Sequence, residues 1–297
     1  RQPWVYLVYT LVSLAILVNF VYQFTAGEEA GRVLSRPKSY AFGFLLTMLS
    51  FKLVIILFLF SEDIFRILSG TYQRLFGAAK EFSLPERRRF LSMIALGIAA
   101  LPFGALLFGM YKGKYNYKVL KYTLEFDNLP KSFDGFTLTQ ISDIHSGSFD
   151  NREKVSYGID LINEQQSDVI LFTGDMVNNK ASEIYPWMDL FSSLKAPQGK
   201  YSVMGNHDYG DYVQWETKAE KEQNFSNLIN AQEEMGFQVL LNKAHYLEKN
   251  GERIALVGVE NWGKGGFKKA GDLNLAVSGV KPEDFKILMS HDPSHWE

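Results

Sequence analysis

Apolar residues fall along this chain in two rhythms. Over residues 3–24, 40–60 and 90–111 they run almost unbroken for about the 20 positions that crossing a bilayer requires. Three soluble core helices are the weaker reading, because such helices rarely lack a polar face over this length. Past residue 115 the apolar runs shorten and alternate with polar segments. Strands are predicted over 119–126, 136–141, 169–172, 201–204, 238–241, 244–248, 253–260 and 285–289. Helical spacing marks 151–166, where Val155, Ile159 and Ile162 share a face and Asn151 or Asp150 can cap, then 182–194 and 216–235. Asn250-Gly251 marks a hairpin turn between two of the strands. A parallel-leaning half followed by a hairpin half predicts two sheets packed face to face, with helices outside.

Two domains follow, a transmembrane region over 1–114 and a mixed α/β domain over 115–297. Trp4, Tyr6, Tyr9 and Tyr22 lie towards the ends of the first span, as an interfacial belt does. Lys52 sits mid-span, where a charge costs at least about 2.5 kcal/mol. It is expected to face the bundle interior, against a backbone carbonyl or Asn19. Residues 61–89 read as a loop carrying Arg66, Arg74, Lys80 and Arg87-Arg88-Arg89. Its positive charge places that loop in the cytoplasm and the α/β domain on the outer side of the membrane. Arg87-Arg88-Arg89-Phe90-Leu91 also resembles a twin-arginine export signal, which gives the same orientation, while Lys112, Lys114, Lys118 and Lys121 reduce the bias.

A formal net charge of −2 gives no electrostatic footprint for a nucleic-acid partner. The absence of Cys removes disulfides and thiolate ligands from consideration.

The candidate chemistry lies at strand ends. Ser142-Asp143-Ile144-His145, Thr173-Gly174-Asp175, Gly205-Asn206-His207-Asp208 and Ser290-His291-Asp292-Pro293 each follow a predicted strand. Ligand sites in open α/β sheets form outside the carboxyl ends of strands, so Asp143, His145, Asp175, Asn206 and His291 can converge there. Carboxylate, amide oxygen and imidazole suit Mn²⁺, Fe, Zn²⁺ or Mg²⁺, and a carboxylate can bridge two such ions. Individually each residue has an ordinary reading, an Asp as helix cap or turn former and a His as a satisfied polar group. Jointly they do not, because three of only five His, namely His145, His207 and His291, fall in these segments.

In order, these blocks resemble the calcineurin-like metallophosphoesterases, whose pattern is D-x-H, G-D, G-N-H-[DE], a lone His, and G-H-x-H. The resemblance covers about half the chain, from residue 134 onward. It implies a four-layer α/β/β/α sandwich, which here follows the expected bundle of about three transmembrane helices, and two divalent metal ions. It further implies Asp143 and His145 as ligands of one ion, Asp175 as the bridge, Asn206 and His291 as ligands of the other, and His207 as a non-ligand touching the substrate phosphate or leaving oxygen. The chain opens on Arg1 and stops at Glu297 where the G-H-x-H block is expected, so a longer protein supplying that block is anticipated. The implied activity is hydrolysis of phosphate-ester or pyrophosphate bonds in a phosphorylated small molecule or lipid, at the membrane bilayer. The alternatives are an inward-facing hydrolase similar to the UDP-diacylglucosamine hydrolases of lipid A synthesis, and a non-catalytic membrane module with a remnant metal site.

Overall fold

The computed structural model describes residues 3–26, 35–76 and 85–296. The chain divides into two units, Arg1–Asn116 and Tyr117–Glu297.

The first unit holds three helices, α1 (Pro3–Thr25), α2 (Arg36–Phe76) and α3 (Pro85–Tyr111). All three are long and apolar enough to cross a membrane, which makes this a membrane protein. Their outward faces carry exposed Leu7, Leu14, Leu57 and Leu101, as helices solvated by hydrocarbon do. Small residues lie between the helices instead: Ala41, Ala95 and Ala99 are buried, and a Cβ on Gly43 would stand 2.8 Å from Met110. Lys52, expected against a backbone carbonyl or Asn19, is half-buried with its Nζ 5.0 Å from the centre of the Tyr9 ring on α1.

One expectation is corrected here. The segment read as a loop from residue 61 remains helical to Phe76. Ile64, Phe65, Leu68, Tyr72 and Leu75 recur at helical spacing with no Pro among them, and the polar residues between them occupy the opposite arc, so nothing stops the helix. At 1.5 Å per residue α2 is about 60 Å long, twice the hydrocarbon thickness. Arg89 lies on α3; Lys80 lies outside the described residues, as do the side chains of Arg87 and Arg88.

In the second unit a parallel four-stranded sheet takes the order β1 (Leu138–Ile141), β2 (Val169–Phe172), β3 (Lys200–Ser202) and β4 (Phe237–Val239). A second sheet pairs β5 (Lys243–Lys249) antiparallel with β6 (Glu252–Gly258), and β6 parallel with β7 (Lys286–Met289). Alternation decides what each face buries. Val169 and Leu171 of β2, Tyr201 of β3, Leu247 of β5, Ile254 and Leu256 of β6 and Met289 of β7 form one core between the sheets. On the far side of the second sheet, Ala255 and Val257 meet Ala276 of the short helix α7 (Leu273–Val277). On the first sheet's side lie the helices α4 (Arg152–Glu164), α5 (Met188–Ser192) and α6 (Lys218–Glu234), α6 packing on β4. Asn151 caps α4 by accepting from Lys154 N, and Thr217 caps α6 by accepting from Glu220 N. The order of layers is helix, sheet, sheet, helix.

Three local expectations differ from what is found. Residues 119–126 form no strand; Leu120, Tyr122 and Leu124 are exposed, and no described strand offers the segment a ladder. At the end of this segment Phe126 meets Phe285 edge-on at 5.3 Å. The helix expected over 182–194 breaks into turns at Ala181–Glu183 and Tyr185–Trp187 before α5, with Pro186 in the second turn. Finally, β4 joins the parallel sheet rather than the hairpin sheet.

Candidate metal centre

The site forms where β1, β2 and β3 of one sheet and β7 of the other end on a common rim. Beyond the strands the β1 and β2 exits stay paired: Asp143 N donates to Gly174 O, His145 N to Asp175 O and Ser146 N to Met176 O, at 3.0 to 3.1 Å. Asp143, His145 and Asp175 all adopt left-handed backbone, with φ of 53°, 43° and 59°. Non-glycine residues hold this conformation only where the surroundings over-determine it, and such residues concentrate at functional sites.

At Asp175 the backbone is held by a residue whose role the sequence left unread. Asp208 has 0% exposure, and its carboxylate accepts from four backbone N–H groups. Oδ2 takes Asp175 N and Gly205 N, both at 2.9 Å, and Oδ1 takes Met176 N at 2.8 Å and Val177 N at 3.3 Å. The exits of β2 and β3 are thereby tied to one side chain. Burial, then the nearby Asp175 carboxylate, push the Asp208 pKa up to about 7, against N–H donors that favour the ionised form. Its one sequence signal is its place as the last residue of Gly205-Asn206-His207-Asp208.

Around Asp175, itself 3% exposed, the predicted ligands assemble. Oδ2 of Asp175 lies 3.6 Å from His145 Nε2 and 3.4 Å from His291 Nε2, and His145 Nε2 is 4.0 Å from Asp143 Oδ1. Donor atoms of His145, Asp175 and His207 lie within 4.8 Å of one another, and so do those of Asp143, Asp175 and His291. Asp175 belongs to both groups. Asn206 joins the second, its Oδ1 3.2 Å from His291 Nε2. All six predicted site residues are therefore brought together. His207 stands in the first group, although the resemblance implies a non-ligand there.

Two of the three imidazoles, those of His291 and His207, are oriented from behind. His291 Nδ1 faces Thr173 O at 2.9 Å, and His207 Nδ1 faces Asn178 O at 2.7 Å. A carbonyl only accepts, so Nδ1 carries the proton and Nε2 is the nitrogen left for the site, the usual arrangement behind metal-binding histidines. Asn178 is held in turn by Glu183, whose carboxylate accepts from Asn178 N and Lys180 N. Burial raises the Glu183 pKa above the ordinary range. His207 N also donates to Asp175 Oδ1 at 2.9 Å.

Electrostatics follow the geometry. Burial raises the Asp175 carboxyl, but the hydrogen bond and charge of His291, with the His207 N–H, outweigh it and hold it below its usual pKa. Burial lowers the His291 imidazole, but Asp175, Asp143 and the Thr173 carbonyl raise it to about 9. The donor set fits divalent cations on an observation of its own. Anionic and imidazole donors face one another at 3.4 to 4.0 Å, from a long hydrogen bond at His291 to beyond hydrogen-bonding distance at His145, around a buried carboxylate with no Lys or Arg ion pair among the described residues.

On the rim, Tyr209 donates from its hydroxyl to Glu260 Oε2, and Asn242 Nδ2 donates to Glu260 Oε1. Of the His set aside in the sequence, His245 lies beside Gln238 and Tyr201, and His295 stacks on Trp262 at 4.0 Å; neither reaches the described metal groups.

The two-sheet α/β fold carries, at its rim, a carboxylate shared between two clusters of oxygen and nitrogen donors that could hold divalent metal ions. The chain belongs to the calcineurin-like phosphoesterase family: residues 136–297 match the model of that family, and residues 1–114 match one described as a probable calcineurin-like phosphoesterase, transmembrane domain. It is 30% identical over 70% of its length to the uncharacterized metallophosphoesterase YkuE of Bacillus subtilis (strain 168), covering 70% of that protein. It is 26% identical to a transmembrane protein with metallophosphoesterase domain from Danio rerio, across 70% of this chain, and spans 45% of that relative's length. With an uncharacterized metallophosphoesterase of Aquifex aeolicus (strain VF5) it shares 27% identity, over 64% of this chain and 69% of the relative.

Proposed function

We propose that this protein is a membrane-anchored phosphoesterase that hydrolyses phosphate-ester or pyrophosphate bonds with two divalent cations held about Asp175. The observation carrying the reading is that one buried, low-pKa carboxylate belongs to both donor groups. The family pattern would give Asp143 and His145 to one cation and Asn206 and His291 to the other, with Asp175 shared, whereas the donor atoms here group His145 with His207 and Asp143 with His291; Asp175 is shared in both assignments. When bound, such a pair supplies Lewis-acid polarisation of a phosphoryl oxygen and a water activated for attack.

The chain's own groups do the rest. Asp175 stays ionised and ties the two groups together, while the neutral amide of Asn206 adds a ligand without adding charge against an anionic substrate. His207 is pinned through Nδ1 to Asn178 O, so its Nε2 is the atom that can carry a proton to a departing oxygen. The substrate is a phosphorylated small molecule or lipid, met by a catalytic unit on the outer side of the membrane.

The test is hydrolysis of bis(p-nitrophenyl) phosphate by the detergent-purified protein with Mn²⁺, wild type against Asp175→Asn. Activity in the wild type and background rates in the variant are expected. Activity that survives Asp175→Asn refutes the shared-carboxylate mechanism.

A further inference from the structure

Tyr212 lies outside every block that carries the family pattern, yet it touches two residues of the site. Its hydroxyl accepts from Asn206 Nδ2 at 2.7 Å, and its ring lies 4.5 Å from the His207 ring, tilted by 40°. At 38% exposure the side chain is open to solvent, so these contacts rather than burial fix its place.

An asparagine amide is nearly symmetric in shape but not in chemistry, since one end donates two hydrogens and the other accepts. Its terminal torsion is broad and roughly two-fold, so a free amide turns either end toward a neighbour. Only the oxygen end can serve a cation. In this structure the oxygen faces His291 Nε2 at 3.2 Å and the nitrogen faces Tyr212. Turned by half a rotation, the amide would aim N–H groups at the place where His291 and Asp175 converge.

We propose that Tyr212 is a positioning residue for the metal centre: by accepting from Asn206 Nδ2 it holds Asn206 Oδ1 toward His291 as a ready cation ligand. The inference rests on the two-cation reading above and goes beyond it, assigning a role to a side chain that binds no metal itself. Partners of this kind behind a ligand are worth about 10–100-fold in metal affinity.

The experiment is a Mn²⁺ titration of the detergent-purified protein, followed by electron paramagnetic resonance, which distinguishes an isolated ion from a coupled pair. In Tyr212→Phe the ring and its contact with His207 remain and only the hydroxyl is lost. The second ion's affinity is expected to fall about tenfold or more, with the first ion's within about twofold. Hydrolysis lost at low Mn²⁺ should return at saturating Mn²⁺.

The Asn206→Asp background isolates orientation from structure. A carboxylate has an oxygen at both ends, so removing the Tyr212 hydroxyl there should change the second ion's affinity by less than about twofold. Unchanged second-ion affinity in Tyr212→Phe, an equal loss in the Asn206→Asp background, or activity that saturating Mn²⁺ does not restore each overturns the inference. A wild type that binds fewer than two ions overturns the two-cation reading and this inference with it. A two-ion wild type matched by Tyr212→Phe overturns this inference alone.

Discussion

Gly205 is the position where one carbon atom should cost the most. It sits where the β3 exit crosses the β2 exit, and a Cβ there would stand 2.2 Å from Asp175 Oδ1, 2.6 Å from Asp175 N and 2.8 Å from Asp175 Cγ. Real Cβ atoms almost never come within 3.0 Å of another atom, so the Asp175 carboxylate must move by about 1 Å. It has little freedom to do so, because Asp175 N is held by Asp208 and Asp175 Oδ1 by His207 N. Gly205→Ala is therefore expected to cost about 1–3 kcal/mol in stability, the usual range for overpacking a fitted interior. A 1 Å misplacement at the reacting centre costs about 10²-fold in rate. The assay pairs thermal unfolding with Mn²⁺ stoichiometry and bis(p-nitrophenyl) phosphate hydrolysis. Gly251→Ala is the control: its φ of +79° carries a left-handed penalty of about 1–2 kcal/mol, but nothing lies within 4 Å of the new carbon and no site residue moves. A Gly205→Ala protein that binds two ions and turns over within threefold of wild type would show that the close approach of the two exits does not set the Asp175 position.

What could be read from the sequence was what depends on neighbours along the chain. The apolar faces of α4 and α6 repeat at helical spacing, and β1, β2, β3 and β7 are short apolar runs ending in polar tips; all were legible. Residues 119–126 show the limit, since an alternating pattern becomes a strand only when another strand supplies its hydrogen bonds. Membership of β4 in the first sheet is likewise a long-range fact, set by pairing with β3. The stretch 61–76 misleads differently, because its charges look like a loop until they are placed on one arc of a helix. Ligand types at the site were legible because they lie in compact blocks directly after strands. The groups that hold them were not. Asp208 acts on the backbone of residues 175–177 and 205, Glu183 on the loop behind His207, and Tyr212 on one amide. Such roles are set by three-dimensional hydrogen-bond geometry, which no spacing rule encodes.

Two further outcomes are expected. The outward orientation proposed above rests on Arg66, Arg74 and Arg89, against Lys112, Lys114, Lys118 and Lys121 beyond α3: if it holds, Cys introduced at exposed Tyr157 should react with an impermeant thiol reagent in intact cells, and labelling only after lysis would place the catalytic unit inside. The His291–Asp175 pair should make the metal-free protein pH-dependent in a defined direction. His291 rises from 6.5 to about 9 on folding, so its contribution of about 3 kcal/mol is complete below pH 6.5 and lost as pH climbs through about 9. Asp175 is lowered, so its share is present above 3.8 and lost as pH falls below that value. A cation taking His291 Nε2 must displace its proton, so apparent Mn²⁺ affinity should rise about tenfold per pH unit up to about 9. In His291→Gln both the loss of metal-free stability at high pH and this slope should flatten. Denaturant unfolding with a chelator present and Mn²⁺ titrations at pH 6.5, 7.5 and 8.5 read the two effects separately; an affinity that does not change across those three values would mean that His291 Nε2 is not where the cation binds.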